Sequence, residues 1–225
     1  MEKTKIGNHY HIPFKPQHFT NEEMSSRAEE YFNFMNSRRT VREISDQPVS
    51  RDIIENIIKT ASSAPSGAHK QPWTFCAISN AEIKSKIREA AEKEEYDSYH
   101  GRMSDRWLED LQPMATDWKK PFLEEAPWLI VVFKRVYEKE ENEKKNNYYV
   151  NESVGIACGM LISSIHHAGL VTVTHTPSPM NFLSSILQRP ENERPYLLLP
   201  VGLAKKNAIV PDLERKQLED VSIFY

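Results

Sequence analysis

At 225 residues, with 39% hydrophobic and 27% charged side chains, the chain has apolar material for one core, and one domain is the expectation. Its net charge of -3 lacks the basic excess of a nucleic-acid binder, and no apolar run reaches the roughly 18 residues of a membrane helix. Seven glycines against fourteen prolines, with no G-x-G-x-x-G and no P-loop pattern, argue against a Rossmann dinucleotide domain.

Residues 1–19 carry Tyr10, Pro13, Phe14, Pro16 and Phe19 without helical period and read as an extended arm on its own core or a partner chain. Thr20 and Glu23 have capping-box spacing and open a helix through about Phe34. Arg38-Arg39-Thr40-Val41-Arg42 follows, either a solvated cluster or a phosphate clamp. Residues 49–63 place Ile53, Ile54, Ile57, Ile58 and Ala61 on one helical face. The stretch Ala64 to Trp73 stops that helix with Pro65, Gly67 and Pro72. It is either a plain helix-to-strand connection or a nest whose N–H groups face a flat or anionic ligand. Trp73–Ile78 reads as a buried strand, and Asn80 caps a charged helix over about 81–103.

Residues 92–122 are polar, aromatic and nearly free of glycine. Glu95 and Tyr99 share a helical face, and Lys120 follows a break at Pro113. The segment is either an exposed helical hairpin or a mobile cover over a polar ligand. Trp128–Phe133 is an apolar run of the kind buried on both faces, and residues 135–147 read as a disordered or solvated charged loop. Residues 148–168 form a long helix with a small, apolar surface, ended by Gly169. Leu170–Pro177 and Leu197–Gly202 read as strands around a short helix at 181–189, and the tail ends in a β-like stretch able to join a sheet edge. Four strands separated by helices make an α+β layer fold.

No cysteine pair has zinc spacing, His166 and His167 diverge by about 100° on a helix, and no metal is expected. Cys76 and Cys158 sit in apolar contexts and read as buried reduced thiols. No G-x-S-x-G nucleophile is present.

The order and spacing of the remaining pieces resemble the nitroreductase-like flavoproteins and, within them, the iodotyrosine deiodinases. The broader resemblance lies in Arg38–Arg42, Pro65–His69 with Gln71-Pro72-Trp73, Gly169–Val171 into Thr174–Pro177, and Leu199–Gly202. The narrower one adds Glu94-Glu95 with Tyr99, Arg102-Met103, Arg106-Trp107, Trp118 with Lys120, and Pro211–Leu213 through Arg215-Lys216. It extends from about residue 30 to the end of the chain.

The resemblance implies a mixed, mostly antiparallel sheet flanked by helices, in an intertwined homodimer with FMN at the subunit interface. Residues 1–225 would form one FMN domain, with 1–19 as arm, about 92–122 as lid and about 204–225 as a tail embracing the partner. Arg38, Arg39 and Arg215 would hold the FMN phosphate, with Thr40, Val41 and Arg42 alongside. Pro65, Ser66 and Gly67 would line the flavin ring from the second subunit. Thr174, His175 and Thr176 match the segment at flavin N5. Thr176 is the favoured hydroxyl donor, although strand alternation puts both threonines on one side and leaves the choice open. His175 interrupts what in relatives is often a run of threonines.

Glu95, Tyr99 and Lys120 match the group that recognises the amino-acid part of a halotyrosine. The chemistry fits independently: a carboxylate takes an ammonium, a lysine takes a carboxylate, and a phenol hydroxyl serves either. The Ala68 N–H would hold the phenolate over the flavin. The implied activity is reductive dehalogenation of 3-iodotyrosine and related halotyrosines by single-electron steps from reduced FMN. NAD(P)H or a reductase would be the electron source. The alternatives are a nitroreductase or quinone reductase using NAD(P)H, and a non-catalytic flavin-binding dimer. Without the membrane anchor of vertebrate members, a soluble, cytoplasmic, microbial enzyme is expected.

Overall fold

The computed structural model describes residues 3–140 and 143–225. The chain divides into two compact units, Met1–Arg38 and Arg39–Tyr225.

In the first unit, β1 (Thr4–Ile6) pairs antiparallel with β2 (His9–His11), so part of the expected extended arm closes on itself. Helix α1 (Asn21–Asn36) starts at the predicted capping box, with the Thr20 hydroxyl accepting from Glu23 N and the Glu23 carboxylate accepting from Thr20 N. No residue of α1 is buried, and Met24, Tyr31 and Phe32 stand exposed.

The second unit is built on a four-stranded sheet of order β3-β4-β8-β7, formed by β3 (Trp73–Ile78), β4 (Trp128–Arg135), β7 (Val171–Thr172) and β8 (Glu193–Gly202). Every ladder in it is antiparallel. Period-2 alternation along β4 divides the core. Ile130 and Val132 meet helices α2 (Arg51–Ser62) and α6 (Val150–His167) on one face. Leu129, Val131 and Phe133 meet α3 (Ala81–Asp97), α5 (Phe122–Glu125) and α7 (Asn181–Ile186) on the other. Helix α4 (Asp105–Leu111) lies in the segment between α3 and α5. Of the predicted α2 face, Ile54, Ile57 and Ala61 are buried, while Ile53 is exposed. Gly169 ends α6 at φ +76°, a conformation that costs a residue with a Cβ about 1 kcal/mol.

Two segments depart from expectation, and a third, the tail, adds no strand to the sheet of its own chain. The charged stretch after β4 holds two paired antiparallel strands, β5 (Tyr137–Glu140) and β6 (Glu143–Asn146), where a loop is expected. Glu191 gathers it by accepting from the Tyr137 hydroxyl at 2.5 Å and pairing with Lys139 and Lys144 at 3.2 and 3.6 Å. The strand expected over Leu170–Pro177 is regular only at Val171–Thr172, with one further bridge between His175 and Leu198. Beyond Gly202 the described residues form an isolated bridge of Ala204 to Ile44 and a 3₁₀ turn at Leu218–Asp220. The tail hangs on residues 39–44: Lys205 N donates to Glu43 O, Ile209 N to the Glu43 carboxylate, and the Arg39 guanidinium to Pro211 O.

Candidate active site

The continuation of β7 forms one wall of a cleft. His175 exchanges two main-chain hydrogen bonds with Leu198, at 2.9 and 3.1 Å, which holds the chain extended beside β8. Alternation then buries Val173 and His175 and leaves Thr174 and Thr176 exposed on the same side, as the sequence implies. Neither threonine hydroxyl has a partner among the described residues. The segment 39–45 is sewn along the sheet end by Val41 N to Thr172 O and Ser45 N to Leu203 O. Val41 is buried, which leaves only its main chain for a ligand. Arg42 reaches the cleft and makes no hydrogen bond or ion pair among the described residues, although burial works against its charge.

The end of α3 and the segment after it form the opposite wall. The helix widens into a π turn at Ser98–Arg102, a rare distortion found mostly at functional sites. Arg102 fixes this turn through the Ser178 carbonyl and the Glu94 carboxylate, both at 2.8 Å. Glu95 and Tyr99 project into the cleft from this wall, and Lys120 enters from the start of α5. The Lys120 ammonium lies 3.3 Å from Glu95 Oε2 and 5.4 Å from the Tyr99 ring centre. It also donates to the Asp117 carbonyl and, at 3.4 Å, to the Thr116 hydroxyl. The Tyr99 hydroxyl donates to Thr116 O at 3.3 Å.

These groups shift one another's protonation. Burial lowers the Lys120 pKa, and the Glu95 carboxylate opposes that shift. Burial, followed by the charge of Glu95, raises the Tyr99 phenol. The His175 imidazole falls to about 3, first through burial and then through Lys120 and Arg42, so it is neutral at neutral pH. Its Nδ1 lies 4.0 Å from Glu95 Oε1, and its buried Nε2 has no partner among the described residues. The Phe122 ring packs edge-on against it at 5.8 Å.

The cleft therefore unites Arg42, Glu95, Tyr99, Lys120 and the 174–176 segment. It does not include Pro65, Ser66, Gly67 or Ala68 of the same chain, nor Arg39 or Arg215. The loop carrying Ala68 is nonetheless shaped for contact. Gly67 N donates to the Ser153 hydroxyl at 3.3 Å, and Ser66 Oγ accepts from Gln71 N at 2.9 Å. Ala68, His69 and Gln71 all have positive φ, at 49°, 56° and 47°. Strain of this kind costs about 1–3 kcal/mol per residue and concentrates where ligands bind. The Ala68 N–H has no acceptor among the described residues. Gly67 is required by close approach: a Cβ there would lie 2.9 Å from the Tyr149 ring and 3.1 Å from Tyr148 O.

Trp107, Met103 and Phe122 supply the apolar wall of the cleft. Sequence reading marked the first two only as part of a resemblance, and Phe122 was missed because its sole signal is a place two residues beyond Lys120. Among the described residues no group of His, Cys, Asp and Glu could hold a metal, and no helix is long and apolar enough to cross a membrane. Both cysteines are free thiols.

The chain is similar to known proteins over most of its length. The chain is 61% identical over 215 residues to iodotyrosine deiodinase from Haliscomenobacter hydrossis, covering 95% of this chain and 97% of that protein. It is 46% identical to iodotyrosine deiodinase 1 from Homo sapiens, over 95% of this chain and 74% of that one. Its fold superposes with a TM-score of 0.73 on a crystal structure of oxidized iodotyrosine deiodinase bound to FMN and 3-iodo-L-tyrosine. That match has 28% identity and covers 86% of this chain and all of the other. The sequence model of the nitroreductase family matches residues 35–203, which takes in the sheet and both walls of the cleft, and the chain belongs to the nitroreductase family.

Proposed function

We propose that this protein is an FMN-dependent oxidoreductase that removes halide reductively from 3-iodotyrosine and related halotyrosines. The observation that carries the reading is the convergence of Glu95, Tyr99 and Lys120 on one cleft beside Thr174 and Thr176. A mostly covered carboxylate and a buried ammonium, held 3.3 Å apart, are a matched pair of charges for an α-amino acid zwitterion.

The residues present fit FMN. Among the described residues Arg42 offers an unpaired cation, the two threonine hydroxyls stand free, and the Ala68 N–H lacks an acceptor. Arg42 and the main chain of Val41 would flank the flavin, and Thr176 or Thr174 would donate to its N5. Arg39 and Arg215, in the two segments that meet at Pro211, would hold the phosphate together with Arg38 and Thr40, as the sequence resemblance assigns them. Reduced FMN would supply the two electrons that, together with one proton, turn a carbon–halogen bond into carbon–hydrogen and halide.

The chain's own residues bind and orient. Glu95 takes the substrate ammonium, Lys120 its carboxylate, and the Tyr99 hydroxyl bridges them. The segment 92–122 acts as the lid, and closing it expels water and strengthens both ion pairs. The Ala68 N–H holds the phenolate oxygen. Because the loop Pro65–Ala68 stands outside the cleft of its own chain, a second copy is needed to supply it. The exposed apolar residues of α1 and of the tail, Ile223 and Phe224 among them, support a homodimer embraced by arm and tail. NAD(P)H or a separate reductase regenerates reduced FMN.

The test is a titration of oxidised holoprotein, following flavin fluorescence, with 3-iodotyrosine and with 2-iodophenol, which lacks the amino-acid part. Tighter binding of the amino acid by 10²-fold or more is expected from two buried ion pairs. Equal affinities would refute the deiodinase reading and leave a nitroreductase with no zwitterion clamp.

A further inference from the structure

Helix α3 grips Lys120 at two points. Arg88, Glu92 and Glu95 follow at spacings of four and three, so they share a face. Glu95 meets the Lys120 ammonium at 3.3 Å. One turn earlier, Glu92 Oε1 accepts the main-chain N–H of Lys120 at 2.7 Å. The same oxygen accepts from Arg88 Nε at 2.9 Å, and Arg88 Nη1 reaches Glu124 Oε2 at 2.9 Å, across the start of α5. Glu92 does not line the cleft. Its carboxylate makes a short, charge-assisted bond to the backbone of the residue where the segment 92–122 rejoins the sheet layer.

We propose that Glu92 is a positioning residue that sets the backbone, and through it the ammonium, of Lys120, and so contributes to recognition of the amino-acid part of the ligand. The proposal rests on Lys120 taking the substrate carboxylate. With the main chain of Lys120 fixed to one carboxylate and its ammonium to another three residues along the same helix, the side chain has little freedom to leave its position. Loss of the backbone bond releases one end. Phenol binding through Ala68, on a different loop, does not depend on it.

The experiment measures flavin-fluorescence affinities of the FMN-loaded protein for 3-iodotyrosine and 2-iodophenol, in wild type, Glu92→Ala, Glu92→Asp and Glu92→Gln. Glu92→Ala is expected to weaken iodotyrosine binding about tenfold, the loss of one charge-assisted hydrogen bond, with iodophenol affinity unchanged. Glu92→Asp keeps the charge but falls one methylene short of the Lys120 N–H, so it should show the same selective loss even if Glu92→Ala does not fold. Glu92→Gln keeps an acceptor oxygen and should stay within about threefold of wild type. Unchanged selectivity in Glu92→Asp, or equal loss of both ligands, overturns the positioning role. A wild type that does not distinguish the two ligands refutes instead the underlying reading of Lys120.

Discussion

Replacing Glu95 by Gln should destabilise the ligand-free protein by about 3 kcal/mol. The Glu95 and Lys120 side chains are 13% and 5% exposed at 3.3 Å, so the screening that makes surface pairs nearly worthless is absent. At an effective dielectric of about 20 their attraction is roughly 5 kcal/mol, and desolvation offsets much of it. Removing one partner strands the other, which costs about 3–5 kcal/mol. Lys120 keeps the Asp117 carbonyl and the Thr116 hydroxyl, which favours the low end of that range. For a chain of this length, about 3 kcal/mol lowers Tm by roughly 6–12 °C. Lys120→Met should cost a similar amount by stranding Glu95. The double variant Glu95→Gln/Lys120→Met removes both charges and should recover most of the loss, because a buried pair can be replaced by neutral groups nearly without cost. Scanning calorimetry of the four FMN-free proteins at one pH completes the cycle. Four midpoints within about 2 °C, or additive single losses, would refute the coupled, buried pair.

Three further outcomes follow from the geometry. With the folded His175 pKa at about 3 and the unfolded value near 6.5, the unfolded chain binds the extra proton between those limits. This group's contribution therefore rises with pH through that window, by about 1.4 kcal/mol per unit. In urea unfolding at pH 7 and pH 5, wild type should lose about 2 kcal/mol more than His175→Gln, and equal losses contradict the shift. Gly67→Ala should cost about 1–3 kcal/mol in a thermal melt, because the Tyr148 carbonyl is backbone and cannot swing aside, and an unchanged Tm would rule out the close approach. The Cys158 thiol, pushed up to about 12 by burial, should resist iodoacetamide at pH 8 in the native protein and react once unfolded, so rapid native labelling would show that the helix face is open.

A fourth test bears on the proposed chemistry. Thr176→Ala should raise nitro-reduction relative to deiodination, while Thr174→Ala should leave the ratio near that of wild type. The opposite pattern would move the flavin N5 contact to Thr174.

The sheet and its flanking helices were legible because their signals are local. The apolar run at Trp128–Phe133 could only be a buried strand, and Asn80, Thr20 and Gly169 mark helix ends by side-chain caps or backbone freedom. The pairing of Tyr137–Glu140 with Glu143–Asn146 is hidden because its charges read as solvated chain. Its stabilising partner, Glu191, lies far along the sequence. The sequence implies a longer strand at Leu170–Pro177 than the structure contains, because alternation persists through Thr174–Thr176 even where only His175 pairs with a neighbour. In the cleft, period puts Glu95 and Tyr99 on one helical face and Thr174 and Thr176 on one side of a strand, while the grouping of Glu95 and Tyr99 with Lys120 is implied only by the resemblance. The contact of Glu92 with a main-chain N–H is not legible, because backbone donors carry no residue-type signature. The absence of the Pro65–Ala68 loop from its own chain's cleft is a tertiary fact with no local trace.

The Glu95–Lys120 contact has a consequence for what the cleft admits. Before any ligand arrives the two charges already neutralise each other in a nearly dry place. A zwitterion on the proposed reading exchanges one internal pair for two external ones, and no charge is stranded at any stage of the count. An amine without a carboxylate would satisfy Glu95 and orphan Lys120, and an acid without an amine would do the reverse. Each half-ligand would meet the penalty of an unpaired buried ion, several kcal/mol in ordinary proteins. On that reading the cleft would act as a coincidence detector, in which each half of an amino acid is welcome only in the presence of the other.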